Sequence, residues 1–469
     1  MANWAYQLLG PTAQNWTPSN RRRQVLCISL GVFVLFLLLG VAHPTTRKMG
    51  HDYYNMSIGN EVSTGSGGAG HAGGPPTYEA LKKWEDDLPQ HNLDLPFPEG
   101  KTGRYVKFSN QMKFLGWNNC LNERLMNAHL AYMSKRAYVF DEYVWAPEHY
   151  QWPPAQQPPG GPRTPLNAIV SGPMAGGPWD GDDDAPRSIS ENWFDVVCPR
   201  DQRKLIHTED VKPALANLPG DAVFDHWQKL LTEETALCVE IVAPAYEVDS
   251  MPQIFDLWLW GTTRVLSLWD SFHKSPTSRL LGPSPIVQAA IDRNEYLFLP
   301  RGPRPPHPAP RDPYARMLAI HLRRGDYLLP SIVDKFTPLP GDDPARVETM
   351  LSHCLPTGAQ IVKKIHDARE EYVNAAPGRL LDILYLLTNE QGPWLDDIKA
   401  ELKAAGWYTI VTTRDLQLDV EQTDVSMAID MQLARKAAVF IGNGWSSFTS
   451  NIIHQRLVDD REPLSIRLT

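Results

Sequence analysis

Residues 317–326 read MLAIHLRRGD, an apolar strand from Met317 to Leu322 that runs directly into Arg323, Arg324, Gly325 and Asp326. Such a strand carries His321 and Arg323 to its carboxyl end, where an arginine fork matches the oxygens of a phosphate bidentately. A second run of the same kind follows at residues 438–449, AVFIGNGWSSFT, in which a strand and a glycine turn lead into Ser446, Ser447 and Thr449 at the start of a helix that extends to Leu457. Strand, tight turn and helix start leave uncapped backbone amides and the positive end of a helix dipole facing one point. Taken singly, the first run is a surface Arg-Asp turn and the second a capped helix. Two anion-binding arrangements in one alternating segment favour a ligand.

The segment around them alternates. Short β-rich runs at Met317–Leu322, Ile383–Leu387, Tyr408–Thr412 and Ala438–Ile441 are separated by helical stretches at 345–372, broken near Pro356, at 393–405, stopped by Gly406, and at 425–436. This βαβ pattern predicts an α/β fold with a doubly wound parallel sheet, whose ligand lies beyond the carboxyl ends of the strands. There is no Gly-x-x-x-x-Gly-Lys-Ser/Thr loop and no Gly-x-Gly-x-x-Gly after a strand, so neither an ATPase loop nor a dinucleotide fingerprint is present.

Upstream, Asn122–Ser134 reads as a helix capped at Asn122 and followed by a strand at Ala137–Phe140, a further α/β unit. Just before it, Gly116, Asn118 and Asn119 permit a backbone turn close to a ligand and offer amide donors, and Glu123 is a candidate acid or base; all four equally serve to cap the helix. The tryptophan-rich stretch 254–272, IFDLWLWGTTRVLSLWDSF, reads as core rather than as a carbohydrate platform.

Together, HLRRGD, FIGNGWSSFT and Gly116-Trp117-Asn118-Asn119 resemble the GDP-fucose protein O-fucosyltransferase-like family, in the form of a fungal type II membrane member. The resemblance implies a GT-B architecture, two Rossmann-like domains facing a cleft, with the nucleotide sugar held mainly by the C-terminal one. By position, Arg323 would grip the β-phosphate and stabilise departing GDP, with His321 beside it. Ser446, Ser447 and Phe448 would contact phosphate and base, and Asp430 would be an acid of the nucleotide pocket; Gly116, Asn118 and Asn119 would complete the donor site. Transfer in the family inverts the anomeric centre and uses no metal or cofactor besides the donor substrate GDP-fucose. One branch of the family carries a glutamate before the N-terminal glycine as its base. Here that position is Leu115, which leaves Glu123, Asp326 or leaving-group stabilisation by Arg323 as the alternatives.

Working outward, three breaks divide the chain. A proline-rich stretch at 300–313 reads as a linker between an N-terminal Rossmann-like, acceptor-side domain (101–299) and a C-terminal nucleotide-sugar domain (314–469). Residues 151–187, with Pro158-Pro159-Gly160-Gly161-Pro162 and Asp182-Asp183-Asp184, read as a disordered, exposed insertion, and 43–100 as a flexible Gly/Ser/Pro-rich stem. The acidic triplet falls in low-complexity sequence and is not read as a metal site.

Ahead of the stem, Val25–Ala42, VLCISLGVFVLFLLLGVA, is uncharged and follows Arg21-Arg22-Arg23. As a helix it spans roughly 27 Å, which suits a thin endoplasmic reticulum or Golgi bilayer, and its length exceeds that of a signal-peptide core. It predicts a single-pass type II anchor with residues 1–24 cytosolic and the head lumenal. Beyond Cys27, four cysteines then allow up to two disulfides in three connectivities, or stand as free buried thiols. The 45 basic and 54 acidic residues leave a net charge of −9, which argues against nucleic acid as a partner. The expected partners are a nucleotide-sugar donor and a glycoprotein or glycan acceptor.

Overall fold

The computed structural model describes residues 74–181, 183–246, 248–302, 310–323, 353, 355–388, 390–444 and 446–469. The expected anchor at 25–42, the first part of the stem, Arg324, Asp326, Cys27 and Cys354 lie outside the described residues. No described helix is long and apolar enough to cross a membrane.

Two parallel five-stranded sheets form the head. The first contains β1 (Tyr105–Phe108), β2 (Ala137–Phe140), β3 (Ile189–Ser190), β4 (Lys204–His207) and β5 (Cys238–Val242), in the order β3-β2-β1-β5-β4. The second contains β6 (Met317–Leu322), β7 (Ile383–Thr388), β8 (Thr409–Thr412), β9 (Val439–Gly442) and β10 (Ile466–Leu468), in the order β8-β7-β6-β9-β10. The order of the second sheet reverses once, between β6 and β9, and so gives it a switch point at which a crevice opens.

Strand β6 shows why the second sheet needs helices on both faces. Met317 and Ala319 join one apolar cluster, whereas Leu318, Ile320 and Leu322 join another. Alternate residues of a strand point to opposite faces, so a strand with apolar side chains on both faces is stable only with both faces covered. On one side lie α5 (Gly358–Asn374) and α6 (Pro393–Ala404), through Ile361, Ile365, Leu395, Ile398 and Leu402. On the other lie α7 (Ser426–Lys436) and α8 (Ser447–Val458), and their cluster continues without a break into α2 (Trp117–Met133), α3 (Gly220–Glu233), α4 (Pro285–Asn294) and the first sheet. The two sheets therefore share one core. Arg456 of α8 closes the carboxyl end of α7 by donating to the carbonyls of Ala434, Arg435 and Ala437, a buried guanidinium used as a helix cap.

Three expectations need correction. Residues 151–187 are not a disordered insertion. Arg163–Thr164 pairs antiparallel with Tyr143–Val144, and Thr164, Leu166, Ala168, Ile169 and Met174 are fully buried. The prolines there open short helical turns at Pro154 and Pro173, so a composition that reads as a linker supplies turns to a folded segment. Nor does the folded head begin near residue 101. Helix α1 (Glu79–Asp86) follows Tyr78, whose ring is 3% exposed, and the Gln90 amide donates to the carbonyls of Gly176 and Ser188 at 2.9 and 2.8 Å. Helix α2 starts at Trp117 rather than after Asn122, because Trp117, Cys120 and Leu121 are themselves buried and extend its packed surface.

Ahead of the proline-rich stretch, α4 already packs on the second unit. Arg293 reaches Gln422 and Asp419 at 2.9 and 3.1 Å, and Asn294 exchanges hydrogen bonds with the backbone of Gln417. Of the cysteines, Cys198 and Cys238 form a disulfide and Cys120 is a buried free thiol.

Candidate functional site

The carboxyl ends of β6 and β9 lie side by side, with Ile320 opposite Ile441, so the loops that leave them meet at the switch point of the second sheet. The Arg323 Nη1 donates to Ser446 Oγ at 3.3 Å. Ser446 is the N-cap of α8 but makes no side-chain cap to that helix, so its hydroxyl serves the guanidinium and the first-turn amides keep their dipole outward. His321 lies 3.0 Å from Thr449 Oγ1 through Nδ1, with its ring centroid 4.8 Å from that of Phe448. The Asn443 amide donates to the same Thr449 hydroxyl at 3.0 Å. One helical turn thus gathers both sequence motifs.

The third segment arrives from the other sheet. Asn451, one turn into α8, donates to the carbonyl and side-chain oxygens of Asn118 at 3.0 and 3.2 Å. Helices α2 and α8 therefore meet close to their amino termini, and Gly116, the N-cap of α2, likewise provides no side-chain cap. Two helix starts, a guanidinium and an imidazole converge, and each favours negative charge. Tyr143 braces the loop from behind, its hydroxyl donating to the Leu115 carbonyl at 2.7 Å and its ring packing edge-on to Trp117 at 5.2 Å.

His321, Arg323, Ser446, Ser447, Phe448, Gly116, Asn118 and Asn119 are brought to this junction. Two other expected residues are not. Glu123 is turned into the core with no exposure, accepts the Met112 amide at 2.6 Å, and burial pushes its carboxyl up to about 8. It is thus held as a buried acid and does not face the cleft as a base. Asp430 is buried in α7, accepting from the Tyr385 hydroxyl and, at 2.8 Å, from Thr413, and burial pushes it up to about 6. One oxygen ties α7 to β7 and the other ties it to the turn that follows β8. Asp326 lies outside the described residues. At the position where a family branch carries its glutamate, Leu115 is buried at 5% exposure.

A small cleft at the junction is lined by His321, Leu322, Arg323, Pro356, Ile361, Trp394, Asn443 and Thr469. Trp394 and Thr469 carried no signal in the sequence, because nothing in their neighbourhoods repeats a motif. Trp394 is the second residue of α6, the helix that follows β7, the strand next to β6, so it stands at the sheet end where a doubly wound fold gathers its ligand contacts. A larger depression of about 380 Å³ holds Asp459, Asp460 and Glu462 beside Arg461, Tyr372, Ala438 and Ser465. It sits at the amino-terminal edge of the same sheet and its acids make it unsuited to an anion, so size does not mark the site here.

No family model and no curated protein matches the chain. Among solved structures, it is similar to POFUT1 in complex with GDP-fucose, at 12% identity and a TM-score of 0.42 over 78% of this chain and 97% of that one. It is also similar to the NodZ alpha-1,6-fucosyltransferase soaked with GDP-fucose, at 12% identity and a TM-score of 0.37 over 75% of this chain and 92% of that one. For an Arabidopsis thaliana FUT1 mutant in complex with GDP the identity is 11% and the TM-score 0.34, over 81% and 74% of the two chains. Scores this low do not carry function across, which rests on the residues at the junction.

Proposed function

We propose that this protein is an inverting, metal-independent glycosyltransferase that moves fucose from GDP-fucose to a hydroxyl of a protein or glycan acceptor. The observation that carries the reading is the Arg323–Ser446 bond, which sets a guanidinium against the open start of α8 at the switch point of the second sheet. A diphosphate is the ligand class that such a fork and such a helix start recognise together. Guanosine and fucose come from the motif resemblance of HLRRGD and FIGNGWSSFT. As the glycosidic bond breaks, charge grows on the β-phosphate, and a preorganised guanidinium stabilises that charge more than it stabilises the bound donor.

The buried Glu123 and Leu115 leave Asp326 as the remaining acid among those the sequence offers as a base. They also favour a second reading, a nucleotide-sugar-binding head without turnover. The head would be held in the lumen of the Golgi or endoplasmic reticulum by the type II anchor, and the Cys198–Cys238 disulfide suits an oxidising compartment.

The test is calorimetric titration of the full-length protein with GDP, GDP-fucose and UDP, alongside Arg323→Ala, followed by release of fucose from GDP-fucose. Selective binding of the guanosine species, lost in the variant and accompanied by release, is the expected result. Binding without release supports the second reading, and no binding of any GDP species rejects both.

A further inference from the structure

Thr449 belongs to the second motif but was assigned no part in the site, and its surroundings give it one. The residue is 1% exposed, and its hydroxyl accepts the Asn443 amide at 3.0 Å. An amide can only donate, so that bond uses an oxygen lone pair and leaves the hydroxyl proton to be placed. Among the described residues the one acceptor in reach is His321 Nδ1, also at 3.0 Å. A buried hydroxyl proton left without an acceptor is costly, so it points at Nδ1, and an Nδ1 that accepts cannot itself be protonated. The side chain has no room to turn away from this geometry. A Cβ placed on Gly442 would lie 2.2 Å from Thr449 Cγ2, so the methyl fills the space that the glycine leaves open.

We infer that Thr449 is a positioning residue that fixes the tautomer of His321, keeping the ring proton on Nε2. The imidazole then carries its ring proton on the edge away from Thr449, and because His321 and Arg323 line the same cleft, the ring's donor sense is set where the donor-site reading puts the diphosphate. The backbone takes part as well. The turn at Asn443 holds the hydroxyl, the hydroxyl holds the ring, and the start of α8 thereby sets the ring's hydrogen-bonding sense at the end of β6. The binding arm of the test below rests on the donor-site reading, and the tautomer arm does not.

The experiment uses full-length protein labelled with nitrogen-15 at histidine, observed at pH 8, above the ordinary imidazole value. Long-range nitrogen–proton correlation separates the two neutral tautomers, and loss of one signal set in His321→Gln identifies His321 among the 14 histidines. The expected wild-type spectrum has a bare Nδ1 and a protonated Nε2. Thr449→Ser, which keeps the hydroxyl, retains that pattern, and Thr449→Val, which keeps the shape, loses it. GDP affinity follows the tautomer, falling on the order of tenfold in the valine variant and little in the serine variant. A protonated Nδ1 in the wild type overturns the inference whatever the variants do. So does a valine variant whose tautomer shifts while GDP affinity stays at the wild-type value. If the wild type binds no GDP, the donor reading fails and the tautomer spectrum still decides the role of Thr449.

Discussion

Arg323 and Glu123 are both ionisable groups on paper candidates for chemistry, and their surroundings send them in opposite directions. Arg323 is half-buried with one donor on the Ser446 hydroxyl, so its fork meets the helix start, where an anion is favoured. Replacing it with alanine should lower turnover about 10²- to 10³-fold, some 3–4 kcal/mol of barrier, and Arg323→Lys should recover only part of that, because charge returns without the fork. Glu123 has a raised carboxyl pKa from burial, so the folded state binds a proton that the unfolded chain has released once pH exceeds the ordinary carboxyl value. Stability from this group is therefore full at low pH and lost as pH rises through about 8. Urea unfolding at pH 6 and pH 9 should show that loss, on the order of a few kcal/mol, and Glu123→Gln should remove most of it. A variant with unchanged pH dependence would show that Glu123 is ionised in the fold. The inward turn of Glu123 was not legible in the sequence. Helix α2 is buried on nearly every side, Asn127 and His129 included, so it has no periodic apolar face from which a side-chain direction could be read.

At the scale of elements, the strand-turn-helix from β9 into α8 concentrates the most constraint. A methyl on Gly442 would meet Thr449 Cγ2 at 2.2 Å and Thr449 Oγ1 at 3.0 Å, whereas among the described residues one on Gly444 meets only Leu468 Cδ1, at 3.7 Å. Gly442→Ala should therefore cost about 1–3 kcal/mol of stability and weaken GDP binding, with Gly444→Ala close to wild type in both thermal melting and titration. Equal effects at the two glycines would place the constraint elsewhere. Four strands of the second sheet were legible to within about a residue, since apolar runs between turn residues leave few alternatives, whereas the edge strand β10, only Ile466–Leu468, was not. The first sheet was legible mainly at β2, because β3 is only Ile189–Ser190 and β4 carries exposed Lys204, Leu205 and His207. Edge strands so short and exposed have no apolar period to find. The disulfide was equally invisible, since four cysteines fix no pairing. It ties the residue after the Glu191–Val197 helix to the first residue of β5 across 40 positions. A loop of that length predicts about 4 kcal/mol, so the double change Cys198→Ser, Cys238→Ser should lower the urea midpoint by that equivalent.

For the whole molecule, the decisive feature is that one apolar cluster runs through both sheets and that the chain ahead of the first sheet helps to seal it. Tyr78 donates to Asp424 at 2.7 Å, and Thr164 donates to the same oxygen at 2.6 Å. Asp424 is fully buried, and burial raises its carboxyl above the ordinary range. Three stretches far apart in sequence therefore depend on one another: the segment before α1, the ribbon at 163–164 and the approach to α7. Composition assigned the first to a stem and the second to a loop, because glycine and proline counts register chain flexibility but not the single buried tyrosine or threonine that anchors a segment. It follows that a head cut at residue 101 loses a hydroxyl from a buried acid as well as the amide of Gln90 from Gly176 and Ser188. A chain starting at residue 74 should unfold in urea as a single transition with both sheets reporting together, since the shared core leaves neither unit a separate one. The chain starting at 101 should unfold at lower urea, and Tyr78→Phe in the longer chain should reproduce about 1.5–3 kcal/mol of the difference, the value of a hydrogen bond to a charged acceptor. Two resolved transitions in the longer chain would instead mean that the sheets are joined only by the linker, and the meeting of α2 and α8 through Asn118 and Asn451 would then have to be held by the ligand rather than by the fold.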